Sequence, residues 1–333
     1  MRFSLIICTF MRPLPLLKLL KSVKNQSLYP NEILIIDGST DNKTEALLVE
    51  NNFNNLRYFK VGDKERGLTK QRNYGISKVS SQIEVICFLD DDTTLDIKYF
   101  DEIIKTYKTK ESAIAVGGYI INETKWYKKE DRSNFDEFTY DGLTRKLGKR
   151  YVIRKQLMLL PDVAPGFTPS FSHGYPISFL PPTSKTYQVE SFMGCSMSFK
   201  RDLFHKISFS TYFEGYGLYE DLEFCLRAAK YGKLYVNTVA RLNHFHDESG
   251  RPNQFKYGKM VVRNGWYIWR IKDANPSFKA RIKWNATSFL LTLIRFTNVL
   301  TKNSVSRKMA FTESMGRVVG WFSVIFNSPQ IKL

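Results

Sequence analysis

Two hydrophobic periodicities divide this chain. Over its first 121 residues, short apolar runs alternate with segments whose apolar residues recur every three or four positions. Residues 3–8 read as a strand. Leucines at 16, 17 and 20, with Val23 beyond, give residues 14–23 helical spacing. Residues 33–36 are a second buried strand, followed by a turn at Asp37-Gly38-Ser39-Thr40-Asp41 and a polar helix through Leu47 and Leu48. A strand at 56–59, a helix at 68–79, a strand at 84–89, a helix at 97–107 and a strand at 113–121 complete the series. This βαβαβ alternation predicts an α/β fold with a mostly parallel central sheet and helices on both faces.

From 122 to 188 the pattern dissolves into charged, aromatic and Pro/Gly-rich sequence, including Pro165-Gly166-Phe167-Thr168-Pro169 and Pro181-Pro182. Loops of this length in a compact domain usually bind ligands or act as lids. Order returns at 189–200, where Gly194 permits a close backbone approach before a strand. Residues 220–231 read as a helix, with acids in the first turn, apolar Leu222, Leu226 and Ala229, and Gly232 as its stop. Two strands follow at 234–236 and 239–246.

Beyond Pro252 the character changes. Asn275-Pro276 reads as a cap and first helical position, and Phe278, Ile282, Ala286, Phe289, Leu293, Phe296 and Leu300 then form one apolar stripe. Lys279, Lys283, Asn298 and Lys302 are among its polar positions. Val305, Met309, Thr312, Met315, Val319, Phe322 and Phe326 form a second stripe. Neither segment is expected to span a bilayer, because Arg295 interrupts the first and the second is too short. With Trp266, Trp269, Trp284 and Trp321 nearby, these basic amphipathic helices either lie in a membrane interface or pack on the main domain. The expected division is 1–250, with a nucleotide-binding half at 1–121 and an acceptor-side half at 122–250, then a basic helical region at 251–333.

Composition narrows the classes. With 333 residues, 43% hydrophobic and 14% aromatic, the chain can bury a sizeable core and is not disordered. Its net charge of +18 is concentrated after residue 250, where fifteen Lys/Arg face two acids, Asp273 and Glu313. Such a tail suits nucleic acid, an anionic membrane or an acidic substrate. The scattered Cys8, Cys87, Cys195 and Cys225 contain no CxxC pair and read as reduced thiols of a cytosolic protein. The N-terminal apolar run is shorter than a signal peptide and reads as the first strand.

Candidate chemistry sits where the strands end. Asp90-Asp91-Asp92 follows the apolar run Val85-Ile86-Cys87-Phe88-Leu89. Clustered carboxylates at a buried strand end repel one another unless a cation offsets them, and hard oxygen ligands suit Mg2+ or Mn2+. Taken alone, the triplet reads equally as a solvated acidic turn. Thr9 and Asp37 also fall at strand ends, where ligands bind in open α/β sheets. His244 and His246 alternate on the last expected strand, so both face one way, as metal ligands or as a structural pair. Glu220-Asp221 opens a helix, where two acids also stabilise the N-terminus.

In order, Ser4–Arg12, Asp37-Gly38-Ser39-Thr40-Asp41, Gly67–Ile76 and Phe88–Asp92 closely resemble the family 2 glycosyltransferases, inverting enzymes of the Rossmann-like GT-A fold that use nucleotide-sugar donors. The stretches 194–200 and 220–227 resemble that family's acceptor-side motifs. The resemblance implies that Thr9, Arg12, Asp37, Arg72, Asp90, Asp91 and Gly194 line the nucleotide sugar. It makes Asp90-Asp91-Asp92 a DxD motif, with Asp92 and a late histidine, His246 ahead of His244, holding Mg2+ or Mn2+. It also implies Asp221 as catalytic base and Glu220 as a group that positions a sugar hydroxyl. Ile36 before Asp37 departs from the two polar residues common in the family.

The expected function is metal-dependent, inverting transfer of a hexosyl or related group from a nucleotide-diphosphate donor to a hydroxyl of a glycan acceptor. The basic, aromatic C-terminal region points to a polyprenyl-diphosphate-linked acceptor at the inner face of the cell membrane, as in O-antigen or capsule synthesis. A nucleotidyltransferase is the alternative enzyme class, but Thr9-Phe10-Met11-Arg12-Pro13-Leu14 lacks the glycines of a phosphate loop. A basic nucleic-acid-binding protein is the other alternative, and no recognition motif accompanies the charge.

Overall fold

The computed structural model describes residues 1–129, 134–213, 215–246, 253–301 and 303–331. Its elements run β1 (Phe3–Thr9), α1 (Pro13–Lys24), β2 (Glu32–Asp37), α2 (Lys43–Glu50), β3 (Leu56–Lys60), α3 (Leu68–Ser77), β4 (Val85–Asp90), β5 (Thr93–Leu95), α4 (Tyr99–Thr109) and β6 (Ala113–Ile120). Then come β7 (Glu137–Tyr140), β8 (Leu143–Lys146), α5 (Lys149–Gln156), β9 (Thr186–Val189), β10 (Ser196–Lys200), α6 (Glu220–Ala228), β11 (Lys233–His244), α7 (Gln254–Lys272), α8 (Phe278–Thr297) and α9 (Ser304–Phe326). Two compact units result, Met1–Lys125 with Pro176–Gly250, and Trp126–Tyr175 with Arg251–Leu333.

The first unit is built on one mixed sheet ordered β3-β2-β1-β4-β10-β6-β11-β5, with β9 also on β11. β3, β2, β1 and β4 are parallel, as the alternation predicts. β10 then runs antiparallel between β4 and β6. Both faces of β1, β2 and β4 are buried, so their cores are apolar runs rather than alternating, whereas β3 at the sheet edge is only half-buried. Leu5, Ile7, Ile33, Ile35, Val85 and Cys87 meet α1 and α4 on one face. On the other face Gly75 of α3 lies so close to the sheet that an added Cβ would stand 2.8 Å from Ile6. Phe88, Phe199, Phe204, Phe209 and Phe224 form an aromatic cluster, with Phe209 and Phe224 stacked 4.1 Å apart. Registration of Thr9 with Asp37, and of Cys8 with Asp90, brings three strand ends to one rim.

The expected strands at 234–236 and 239–246 are one strand, β11, whose pairing with β6 is interrupted between Val236 and Arg241. His246 lies beyond its end with φ 53°. β5 was too short to announce itself in the pattern.

The second unit contains order that the sequence pattern does not disclose. β7 and β8 form an antiparallel hairpin. Its turn residues Asp141 and Gly142 both have positive φ, the geometry of a type I′ turn, for which Asp-Gly is a strong signal. Residues 126–175, expected to belong with the acceptor-side half, pack instead as part of this unit. The expected boundary at 250 and the polar position Lys302 lie outside the described residues. α7 was not foreseen, and the cap of α8 is Ser277, whose hydroxyl accepts from the Ala280 N–H, rather than Asn275. Trp269 and Trp284 stack at 5.0 Å beside buried Phe171 and Val262. Among the described residues, no helix is long and apolar enough to cross a membrane.

Candidate active site

The rim of the sheet gathers most of the expected residues, and each is held by the element that ends there. At the close of β1, the Thr9 hydroxyl donates to Asp91 Oδ2 at 2.6 Å. Arg12, just before α1, donates to Asp91 Oδ1 at 3.2 Å and stands 3.7 Å from Asp92. Burial pushes the Asp91 carboxyl up to about 7, against the lowering effects of Thr9 and Arg12. Asp91, the member of the triplet assigned most loosely, is therefore the one tied to both Thr9 and Arg12. At the end of β2, fully buried Asp37 accepts from the Ser39 N–H and the Tyr58 hydroxyl, both at 2.8 Å. Arg66 donates to the Gly38 carbonyl beside it at 2.8 Å.

The Gln71-Arg72-Asn73 triplet of α3 projects three side chains to three separate anchors. Gln71 donates to the Thr9 and Ile36 carbonyls, tying the ends of β1 and β2 together. Asn73 exchanges two hydrogen bonds with the Phe209 backbone. Buried Arg72 pairs with Glu220, reaches the Gly194 carbonyl at 3.3 Å and lies 3.6 Å from Asp90. The α3 helix starts after Gly67, whose φ of +119° favours glycine. Gly217 approaches Leu68 so closely that a Cβ would stand 2.8 Å away, and this contact sets the start of α6 against α3.

At that start, Glu220 and Asp221 occupy different environments. Glu220 is buried against Arg72, and burial pushes its carboxyl well up despite the opposing charge. It therefore orients Arg72 in this structure. Asp221 is half-buried; its Oδ2 accepts from the Gly194 N–H at 2.7 Å and its Oδ1 from the Leu222 N–H at 2.8 Å. An added Cβ on Gly194 would stand 3.1 Å from Glu220 and 3.4 Å from Arg72, which explains a glycine there.

His244 faces the triplet across the β5–β11 pairing. Its Nε2 lies 3.2 Å from Asp92 Oδ1, and its Nδ1 lies 3.4 Å from Glu123 Oε1. Burial lowers its pKa, but the contacts with Asp92, Cys195 and Glu123 outweigh that and raise it to about 12. Glu123, absent from the sequence reading, also accepts from His246 at 2.7 Å. The ligand atoms of Asp90, Asp92 and His244 all lie within 4.8 Å of one another, as do those of Glu123, His244 and His246. Two carboxylates and an imidazole suit Mg2+ or, with its greater tolerance of nitrogen, Mn2+. The first set belongs to the strand-end rim, and the second reaches His246 through Glu123. Burial pushes the Cys8 thiol up to about 12 and Cys195 up to about 11, favouring the protonated form over the thiolate.

Residues 4–207, more than half of the chain, match the profile described as Glycosyl transferase family 2. The chain belongs to this family. The family 2 match takes in the Thr9, Asp37, Arg72 and Asp90–Asp92 motifs, and α6 with Asp221 lies beyond it. The chain is 25% identical over 143 residues to the Glucosyl-dolichyl phosphate glucuronosyltransferase of Haloferax volcanii, an alignment covering 41% of this chain and 44% of that protein. It is 29% identical over 96 residues to the GalNAc(5)-diNAcBac-PP-undecaprenol beta-1,3-glucosyltransferase of Campylobacter jejuni, covering 28% of this chain and 30% of that protein. The alignments thus span less than half the length of these two relatives. Among solved structures, S. aureus TarS aligns with TM-score 0.48 at 15% identity, over 93% of this chain and 47% of TarS. Its residues 1–349 align at 12% identity with TM-score 0.48, over 98% of this chain and 92% of that one.

Proposed function

We propose that this family 2 chain transfers one sugar, with inversion, from a nucleotide-diphosphate donor to a hydroxyl of a glycan acceptor, and that it needs a divalent cation. The observation that carries this reading is the joining of Asp90 to Asp221 through Arg72 and Gly194, beside Asp92 and His244. Donor-side and acceptor-side groups are thereby fixed on one framework, which is what an in-line displacement requires.

Asp90, Asp92 and His244 would hold the cation, and when bound it supplies positive charge against the leaving nucleoside diphosphate. Thr9, Arg12 and Asp91 would orient the nucleotide, with Asp37 shaping the turn that receives it. Asp221 takes the acceptor hydroxyl's proton as that oxygen attacks the anomeric carbon. The new glycosidic C–O bond forms while the bond from the anomeric carbon to the diphosphate oxygen breaks on the opposite side. The backbone N–H donors of Gly194 and Leu222 hold Asp221 in place, and each of its oxygens keeps a second lone pair for the proton.

The acceptor in this reading is carried on a polyprenyl diphosphate, in a surface polysaccharide pathway of O-antigen or capsule type. Both relatives bear lipid-linked names, and 251–333 is strongly basic. The enzyme then works at the inner face of the cell membrane, with the basic region meeting an anionic surface. Incubation with a panel of nucleotide sugars and Mn2+, following nucleoside diphosphate release with and without lipid-linked glycan, tests the reading. Release from one donor, stimulated by the lipid-linked acceptor, is expected; no release from any donor would overturn it.

A further inference from the structure

The two C-terminal stripes have the wrong faces buried for helices that merely complete a core. On α8 the buried positions are Ala280, Trp284, Thr287 and Ser288. Trp284 apart, its large apolar stripe points outward: Phe278 is 78% exposed, Phe289 61%, and Leu300 just beyond the helix 86%. Ile282, Leu293 and Phe296 share that exposed stripe. On α9 the buried positions are Ala310, Glu313, Ser314, Gly316 and Gly320, while Val305, Met309, Met315, Val319, Phe322 and Phe326 are exposed.

Small and polar groups hold these helices together. A Cβ on Gly316 would stand 2.1 Å from the Phe255 carbonyl, and one on Gly258 would stand 2.0 Å from that of Glu313, so α7 and α9 touch backbone to backbone. Glu313 accepts from Arg295 of α8 at 2.6 Å and from Arg317 at 2.7 Å. Apart from the buried Trp269–Trp284 stack, small and polar groups make these contacts and the apolar stripes face out, an arrangement suited to helices whose outer solvent is partly hydrocarbon. Phe296 of the first stripe stands 6.3 Å from Phe311, another exposed aromatic of α9.

Charge identifies the occupant. Among the described residues of α7, α8 and α9, Glu313 is the only acid, and it is buried in ion pairs. Lys279, Arg281, Arg307 and Lys308 are exposed. A second copy docking here would bring cation against cation, whereas an anionic lipid surface complements it. No described helix is long and apolar enough to cross a bilayer, so helices that meet one would lie in its interface.

We propose that the exposed stripes of α8 and α9 form a monotopic docking surface for a phospholipid bilayer bearing anionic headgroups. Phe278, Phe289, Phe296 and Leu300 enter the acyl boundary, and Lys279, Arg281, Arg307 and Lys308 meet the headgroups. This rests on the membrane-side reading above and adds the face that carries it.

The test is flotation of the full chain, without any sugar nucleotide, on vesicles of phosphatidylcholine alone or with one-third phosphatidylglycerol. The wild type floats with the anionic vesicles and much less with the neutral ones. Phe278→Ser with Phe289→Ser and Phe296→Ser lowers the partition coefficient about a hundredfold. Lys279→Glu with Lys308→Glu removes the preference for anionic vesicles. Both variants keep the wild-type circular dichroism and donor turnover, because these side chains are exposed and remote in sequence from the rim motifs. Wild-type chain left in the soluble fraction overturns the proposal. So does a wild-type oligomer that the phenylalanine variant dissociates, which would make the stripes an interface between copies. Donor turnover without flotation sinks this inference alone, and flotation without turnover sinks the transferase reading alone.

Discussion

Asp221 and Glu220 are sequence neighbours with different surroundings, and that difference underlies the parts proposed for them. Glu220 is spent on buried Arg72, while Asp221 is held by backbone donors with lone pairs to spare. Asp221→Asn should lower turnover about 10²–10⁴-fold, the usual worth of a general base, with donor affinity unchanged in titration calorimetry. Weakened donor binding with preserved turnover would place the base elsewhere. Glu123 lies against both histidines and was invisible in the sequence, because nothing local marks an acid in a loop as the partner of residues more than a hundred positions away. In the proposed cation site it is the carboxylate beside the His244 ring, 3.4 Å from its Nδ1. Glu123→Gln should weaken Mn2+ binding about 10–100-fold by electron paramagnetic resonance. Unchanged Mn2+ affinity would remove it from that role. His246, expected ahead of His244, ends with Glu123, and His244 is the ring that faces Asp92.

At the scale of elements, helix starts and close approaches carry the specificity. β1, β2 and β4 were legible because each is built on an apolar run closed by a turn signal. The hairpin of β7 and β8 was legible only in Asp141-Gly142, since its strands are short and polar. Where α7 and α9 meet, side-chain volume is forbidden: Gly316→Leu should lower stability by about 3 kcal/mol in urea unfolding, through overpacking against the Phe255 carbonyl. A neutral result would mean that the helices part without cost. His173, whose ring lies 3.2 Å from the Ser288 hydroxyl, has its pKa lowered to about 3, first by burial and then by Arg154 and Arg317. A depressed histidine contributes stability above the unfolded value near 6.5, and that contribution is lost as pH falls toward 3. The slope is at most about 1.4 kcal/mol per pH unit. His173→Asn, which tolerates the φ of 57°, should flatten the acid limb of a melting-temperature profile relative to wild type. An identical limb in both proteins would show that His173 does not titrate on unfolding.

For the whole molecule, the proposed chemistry depends on Asp90 and Asp92 at and just beyond the end of β4, His244 at the end of β11 and Asp221 at the start of α6. Excess chelator should abolish transfer, and added Mn2+ or Mg2+ should restore it; Asp92→Ala should not be rescued. Full turnover in chelator by the Asp90→Ala, Asp92→Ala double variant would refute the cation's part. The sequence by itself determined the strand–helix alternation, the apolar runs that end in Thr9, Asp37 and Asp90, and the family motifs, because these are local patterns with fixed periods. It also determined that two C-terminal helices would each carry an apolar stripe. Only the tertiary structure decided which way those stripes face, that 126–175 packs with them, and that Arg72, Glu220, Gly194 and Asp221 form one connected group. Periodicity defines a helix's faces but not its neighbours, and long-range pairing depends on the packing of the whole chain.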